Sequence, residues 1–561
     1  MHRYFQVIYA GILMLCAAVT CAQDHPGRLS VGVSFPKSVH AQSITGRLLV
    51  VFSLRNDPEV RLQTGWVFAP PMFGLDVDQL PPGHAAVIDG RVPGFPLRSL
   101  KELPPGDYYV QALLNVYSRF HRSDGYVIWA HDQWEGQEFD RAPGSLYSKV
   151  SKVHVDPRRG GAIELILSEV VPPLPVAADT EWVKRIKIQS KLLTQFWGRP
   201  IYLGAVVLLP RGYAANRDAS YPVIYKQGHY YEASPFGFNT EDTPETDVER
   251  EFRRKNGIES GYEFYQAWSS DQFPRVLAVT FQHPTPYSDT SYAVNSANQG
   301  PYGDAIMTEL IPYIEEHFRI IREPYARALT GGSTGGWESL ALQLYHPEFF
   351  GGAWIFNPDP VDFQRYGLVN IYKENNAYVP DPASVFKLGM SEWWSIDRPM
   401  ERMEDGQIVA TLRQAVRLDK VQASHDRSGG QLPTWEATYG PVGKDGYPQP
   451  LWNTTTGEID RRVANYMREQ GYDLRAYAQS HWSKIGPHLI GKLHFYCGDM
   501  DNWYLNLGVY RFEDFLRATQ RPHYAGSFEY GRPMKEHGWQ PMTNAELVRI
   551  IAAATSQNAP R

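Results

Sequence analysis

Cysteine is nearly absent. The 561 residues hold three, and Cys16 and Cys21 both fall in the first 22 positions, leaving Cys497 alone in the remainder. One thiol cannot form an intrachain disulfide or a Cys-x-x-Cys metal or redox site, so the fold must rest on its apolar core. Cys497 closes the run Leu493-His494-Phe495-Tyr496 and reads as a buried strand thiol rather than a reactive one. Other signatures are missing too: there is no His-Glu-x-x-His, phosphate loop, dinucleotide fingerprint or internal repeat. Neither a metal nor a cofactor is therefore expected. Excess positive charge is also lacking, since the net charge is −6, which gives no footprint for nucleic acid and no polybasic patch for lipid.

Long hydrophobic runs are scarce, and the one that stands out is short. Val7 to Val19 follows His2-Arg3 and precedes Thr20-Cys21-Ala22, so residues 1–22 read as an export signal cut near Ala22 and not as a membrane span. The mature protein is expected in the periplasm or secreted, with no transmembrane span. A lipidated Cys21 is a weaker reading, because Ala18-Val19-Thr20 matches the leucine-led lipobox poorly.

The whole chain is 43% hydrophobic, and past the signal it divides in two. Strand-like runs at Leu29–Phe35, Leu48–Leu54, Tyr108–Tyr117, Lys149–Val155 and Ala162–Val171 are separated by turns such as Pro104-Pro105-Gly106-Asp107. They predict a small β-sandwich over residues 28–171. Pro172-Pro173-Leu174-Pro175 opens a stiff connector over 172–182. From Val183 to about residue 556 strands alternate with helices. Val183–Ile188, Ile201–Leu209, Val223–Tyr225, Val276–Phe281, Ala326–Leu329, Gly352–Phe356 and Leu493–Cys497 read as strands, and Tyr302–Phe318 as one amphipathic helix. That order predicts an α/β fold, a mostly parallel sheet with helices on both faces and its site at the carboxyl ends of the strands.

The most informative stretch is Thr330-Gly331-Gly332-Ser333-Thr334-Gly335-Gly336. Gly-x-Ser-x-Gly between a strand and a helix is a nucleophile elbow, in which glycines let the two elements approach and the serine presents its Oγ. Leu340, Ala341 and Leu344 recur at helical spacing, and His346-Pro347 stops the pattern. A serine alone is a weak nucleophile, so a histidine base and an orienting carboxylate must follow it in the chain. Gly498-Asp499-Met500-Asp501 follows a strand, and Asp501 is the expected acid, with Asp499, Asp359 and Asp362 as rivals. His537, in Lys535-Glu536-His537-Gly538-Trp539, is the expected base; His481, His488 and His523 are the alternatives. The oxyanion donors are expected from the amide of Thr334 and from His229 or Tyr230, after the strand ending at Tyr225. Trp337, Tyr230 and Trp539 are expected to touch substrate.

These motifs resemble the esterase D and enterochelin-esterase-like family of α/β-hydrolases, over about Ile186 to Trp539. The resemblance rests on Tyr221-Pro222-Val223-Ile224-Tyr225 before Gly228, on the helix Asp304–Arg319 with Leu310-Ile311-Pro312, on the elbow with His346-Pro347-Glu348-Phe349-Phe350, on Gly498–Asp501 and on His537–Trp539. It implies the α/β-hydrolase fold and carries the acid to Asp501 and the base to His537. Gln227 departs from the family's usual histidine before glycine, and Gly332 stands where histidine or phenylalanine is common.

An insertion from about 360 to 490 carries Trp393, Trp394, Trp435, Trp452, Trp482, Tyr439 and Tyr447. These aromatics could wall a substrate pocket or form the insertion's own core. The chain thus reads as an exported serine hydrolase of small-molecule or carbohydrate-linked esters. The alternatives are a prolyl-oligopeptidase-type peptidase, an acyltransferase, and a non-catalytic carbohydrate- or surface-binding protein.

Overall fold

The computed structural model describes residues 28–132, 134, 138–380 and 397–560. The expected export signal, with Cys16 and Cys21, lies outside these residues, as do Trp393 and Trp394.

Residues 183–531 build an eight-stranded sheet. Numbered within this sheet, its strands are β1 (Val183–Ser190), β2 (Ile201–Leu208), β3 (Val223–Gln227), β4 (Leu277–Gln282), β5 (Arg327–Gly332), β6 (Gly352–Phe356), β7 (Leu493–Gly498) and β8 (Ser527–Gly531). Their spatial order is β1-β2-β4-β3-β5-β6-β7-β8. β2 pairs antiparallel with β1 and β4, and every pairing from β4 to β8 is parallel. Parallel strands require crossovers, and these bring helices onto both faces. Alternation along β3 shows the two layers: Val223 and Tyr225 enter one core with the helices Thr334–Tyr345 and Leu474–Leu489, while Ile224 enters the other with Gly261–Trp268 and Asn544–Asn558.

The expected helix Tyr302–Phe318 forms, but not as one regular α-helix. A π-helical turn at Ile306–Leu310 separates Tyr302–Ala305 from Ile311–His317. Pro312 follows that turn and has no N–H to donate, so the regular ladder is broken there.

Nine of the strands between residues 29 and 170 join into one sheet, and Ser118–His121 and Val127–Ala130 pair as a separate hairpin. Ile44–Ser53 and Gly106–Val116 pair antiparallel at its centre, and Leu29–Ser34 runs parallel to Gly161–Val170. Six strands escaped the sequence reading: Met72–Leu80, Ala86–Ile88, Gly94–Phe95, Leu146–Ser148 and the two of the hairpin. Five of them are too short for a period to show, and Met72–Leu80 carries the polar Asp76, Asp78 and Gln79 in its second half. The continuous run Leu48–Phe52 is explained by burial on both sides. Leu48, Val50 and Phe52 face the sheet's own core, whereas Leu49 and Val51 pack with Leu418 and Val421 of the insertion helix Leu412–Gln422. Arg47 ties the same contact. It is buried, pairs with Asp76 at 3.1 Å and donates to the carbonyls of Lys420 and Val421 at 2.8 Å each.

Candidate active site

β5 ends at Gly332, Ser333 turns with φ 56° and ψ −122°, and the helix Thr334–Tyr345 begins at once. A left-handed φ is strained for a serine and is held here by its surroundings. The Ser333 amide donates to the Phe356 carbonyl at 3.0 Å, and its own carbonyl accepts from the amides of Gly336, Trp337 and Asp359. Glycine is required on both sides. A Cβ on Gly331 would stand 2.4 Å from the Gly335 carbonyl oxygen, and one on Gly335 would stand 2.2 Å from that of Gln227.

Asp501 lies in the loop after β7 and is fully buried. Its Oδ1 accepts from the amides of Trp503 and Leu505 at 3.0 and 3.1 Å, and its Oδ2 lies 2.6 Å from His537 Nδ1. The Asn502 side chain accepts from the His537 amide at 2.8 Å, and the Trp503 ring stands edge-on to the imidazole. Two loops meet closely here, since a Cβ on Gly498 would stand 2.3 Å from the Lys535 carbonyl oxygen. Burial works to lower the His537 pKa, but the charge and hydrogen bond of Asp501 overcome it and hold it above histidine's usual value. With Nδ1 on the carboxylate, Nε2 is left for the cavity.

The rivals are occupied elsewhere. Asp499 Oδ1 accepts from the Lys535 amide at 3.3 Å, and Asp362 is buried against Arg475 and Arg511. His481 and His523 bond carbonyls within their own segments, and His488 faces Glu348.

Asp359 is the rival that does reach the serine. Ser333 Oγ donates to Asp359 Oδ1 at 3.4 Å, and among the described residues no hydrogen bond joins that hydroxyl to His537. Four donors converge on Asp359 Oδ2: the Tyr292 hydroxyl at 2.5 Å, Thr334 Oγ1 at 2.9 Å, Gln431 Nε2 at 3.1 Å and Trp435 Nε1 at 3.4 Å. So many donors fix a buried carboxylate in place. Its position after β6 marked it in the sequence; Tyr292 and Gln431 carried no signal.

Next to the elbow, Glu338 is buried in the first turns of the helix and accepts from the Gly228 amide at 3.1 Å and from Thr290 Oγ1 at 2.6 Å. Burial pushes its pKa up to about 8. His229 lies 2.8 Å from Asp289 through Nδ1 and 3.2 Å from Thr334 Oγ1 through Nε2. Burial opposes its charge, but Asp289 outweighs burial and raises the pKa to about 9. A cationic imidazole thus stands beside Thr334, whose amide opens the helix and lacks an intrahelical acceptor.

Ser333, His537, His229 and Asp359 line a cavity of about 320 Å³. Its walls are mainly apolar, with Trp66, Tyr366, Met400, Trp435, Trp452 and Trp503 among them. The insertion's aromatics therefore divide between the two expected uses. Trp435 and Trp452 reach the cavity, whereas Tyr439 and Trp482 pack inside the core and Tyr447 bonds the hairpin residue Trp129. Trp66 comes from a loop of the nine-stranded sheet, a contribution that nothing in the sequence disclosed.

The three residues expected on substrate lie elsewhere. Trp337 is fully buried against Tyr292 and Tyr439, because its helix position faces the core. Tyr230 turns from the cavity and meets Trp134 edge-on, and Trp539 packs over Gly531 on the opposite side of the sheet. Among the described residues no group of three His, Cys, Asp or Glu side chains is disposed to hold a metal.

Residues 202–430 match the family model Esterase, described as "Putative esterase". The match ends before Asp501 and His537. Solved structures resemble the chain at low identity. An S-formylglutathione hydrolase from Agrobacterium tumefaciens is 10% identical with a TM-score of 0.32, covering 68% of this chain and 95% of that one. The siderophore hydrolase EstB from Aspergillus nidulans is 11% identical with a TM-score of 0.31, covering 69% and 99%. A ferulic acid esterase from Anaeromyces mucronatus, solved with ferulic acid, is 14% identical with a TM-score of 0.28, covering 67% and 91%. No curated protein matches the sequence significantly. The similarity to an esterase family thus spans residues 202–430, which hold β2 to β6 and the elbow serine.

Proposed function

We propose that the chain hydrolyses carboxylic esters through Ser333, His537 and Asp501. The observation that carries this reading is the 2.6 Å contact between His537 Nδ1 and Asp501 Oδ2 at a cavity that also exposes the elbow serine. Ser333 Oγ turns from Asp359 toward His537 Nε2, gives up its proton there and attacks the ester carbonyl. The alcohol leaves with that proton, and water, deprotonated by the same imidazole, releases the acyl group. The Thr334 amide stabilises the oxyanion with an amide of the His229-Tyr230 loop, and cationic His229 adds positive potential beside them.

The test is release of p-nitrophenol from acetyl and butyryl esters by purified protein beside Ser333→Ala and His537→Ala. A fall in kcat of about a thousandfold or more in both supports the reading, and equal rates in variant and parent overturn it. The prolyl-oligopeptidase alternative loses ground because the amino-terminal residues form a nine-stranded sheet and not a propeller.

The amino-terminal domain, residues 28–171, is read as a β-sandwich-like unit enclosing Val31, Val50 and Leu165, followed by the connector at 172–182 and the hydrolase at 183–556. Export is part of the same proposal and rests on the sequence of residues 1–22. No described helix is long and apolar enough to cross a membrane.

A further inference from the structure

Ser333 and His537 also line a second pocket, of about 280 Å³, on the other face of the sheet from the aromatic cavity. Lys226, next to last in β3, lines it together with Phe236, Phe356, Gln540 and Asn544. Its neighbours Tyr225 and Gln227 face the opposite way, so the strand's alternation directs Lys226 to this side.

Two donors in this pocket lack acceptors. Among the described residues no salt bridge to a carboxylate is made by the Lys226 ammonium, whose ring contact is Phe236, with the centroid 6.0 Å from Nζ. The Gln540 side-chain amide nitrogen is buried without a hydrogen-bond partner. The other polar side chains are spent: Thr330 Oγ1 donates to the Trp354 carbonyl at 2.9 Å, while Asn357 donates to the Trp539 carbonyl and accepts from the Gly498 amide. Lys226 is half-buried, so an anion entering this pocket would meet a cation without a counter-ion beside a buried donor without an acceptor. Burial lowers the lysine's pKa, as expected for a cation without a counter-ion.

We propose that this pocket binds a carboxylate on the ester substrate, with Lys226 as its counter-ion and the Gln540 amide as a second donor. The inference rests on the ester-hydrolase reading. The scissile bond lies at Ser333 between the two pockets, so one limb of the ester occupies the aromatic cavity and the other carries the negative charge. A single ammonium with one neutral donor suits a monoanion.

The experiment compares kcat/KM within two matched pairs of esters, for the parent protein and Lys226→Met. One pair places the charge on the acyl limb (mono-p-nitrophenyl glutarate against p-nitrophenyl valerate). The other places it on the alcohol limb (p-butyryloxybenzoate against phenyl butyrate). The parent is expected to favour the anionic member of one pair by about tenfold or more, and Lys226→Met to bring that ratio close to one. A ratio near one in the parent, or a variant that lowers both members alike, overturns the proposal. Calorimetry of glutarate and p-hydroxybenzoate binding to Ser333→Ala, with and without Lys226→Met, separates the two readings. Lysine-dependent binding without turnover of any ester keeps the subsite and rejects the hydrolase. Turnover without charge preference or lysine-dependent binding rejects the subsite alone.

Discussion

His537 Nδ1 and Asp501 Oδ2 stand 2.6 Å apart across two loops that leave the neighbouring strands β7 and β8. The pair fixes the imidazole's orientation and supports its protonated form, two properties that a general base beside a serine needs.

The first prediction is a pH profile. Asp501 raises the pKa of His537, and catalysis requires the neutral imidazole, so kcat/KM should climb through a midpoint above histidine's ordinary value of about 6.5. Asp501→Asn should move that midpoint down and reduce kcat by about a thousandfold or more. Steady-state rates between pH 5 and 9 check both, and an unmoved midpoint would contradict the pairing.

His229 gives a second pH effect, on stability. Its folded pKa of about 9 exceeds the unfolded value of about 6.5, so its contribution is complete below the unfolded value and disappears as the pH rises through about 9. Unfolding by urea at pH 6 and pH 9 should therefore show a loss in the parent that His229→Gln lacks. The side chain is 36% exposed, so salt should weaken the effect.

Gly335→Ala should disable the elbow. Its Cβ would meet the Gln227 carbonyl oxygen at 2.2 Å, backbone against backbone, with no side chain free to yield. Soluble yield and esterase activity should both fall sharply. Gly125→Ala, at a left-handed turn with open space around it, should cost only about 1 kcal/mol in a denaturant titration.

Trp66 links the amino-terminal domain to substrate choice. Trp66→Ala removes one aromatic wall of the cavity and the indole bond to Glu401, so KM for esters with an aromatic limb should rise about tenfold. For acetyl esters the rise should be much smaller. Parallel kinetics on feruloyl and acetyl esters test the contrast, and equal changes on both would place Trp66 outside the binding surface.

The sequence by itself determined the chemistry's local parts. The elbow is encoded in adjacent residues, because strand, turn and helix succeed one another within Ala328–Leu344 and the glycines answer close contacts between them. That Asp501 and His537 meet was legible for a related reason: each follows a strand of the same sheet, where loop ends converge. Tertiary structure alone decided what surrounds them. The face on which Trp337, Tyr230 and Trp539 lie depends on helix rotation and loop path, which residue type does not fix, and all three turned away from the cavity. The approach of Asp359, Tyr292 and Gln431 to the serine, and of Trp66 from the nine-stranded sheet, joins segments up to several hundred residues apart. Such contacts follow from how whole layers pack, and a linear pattern holds no record of them.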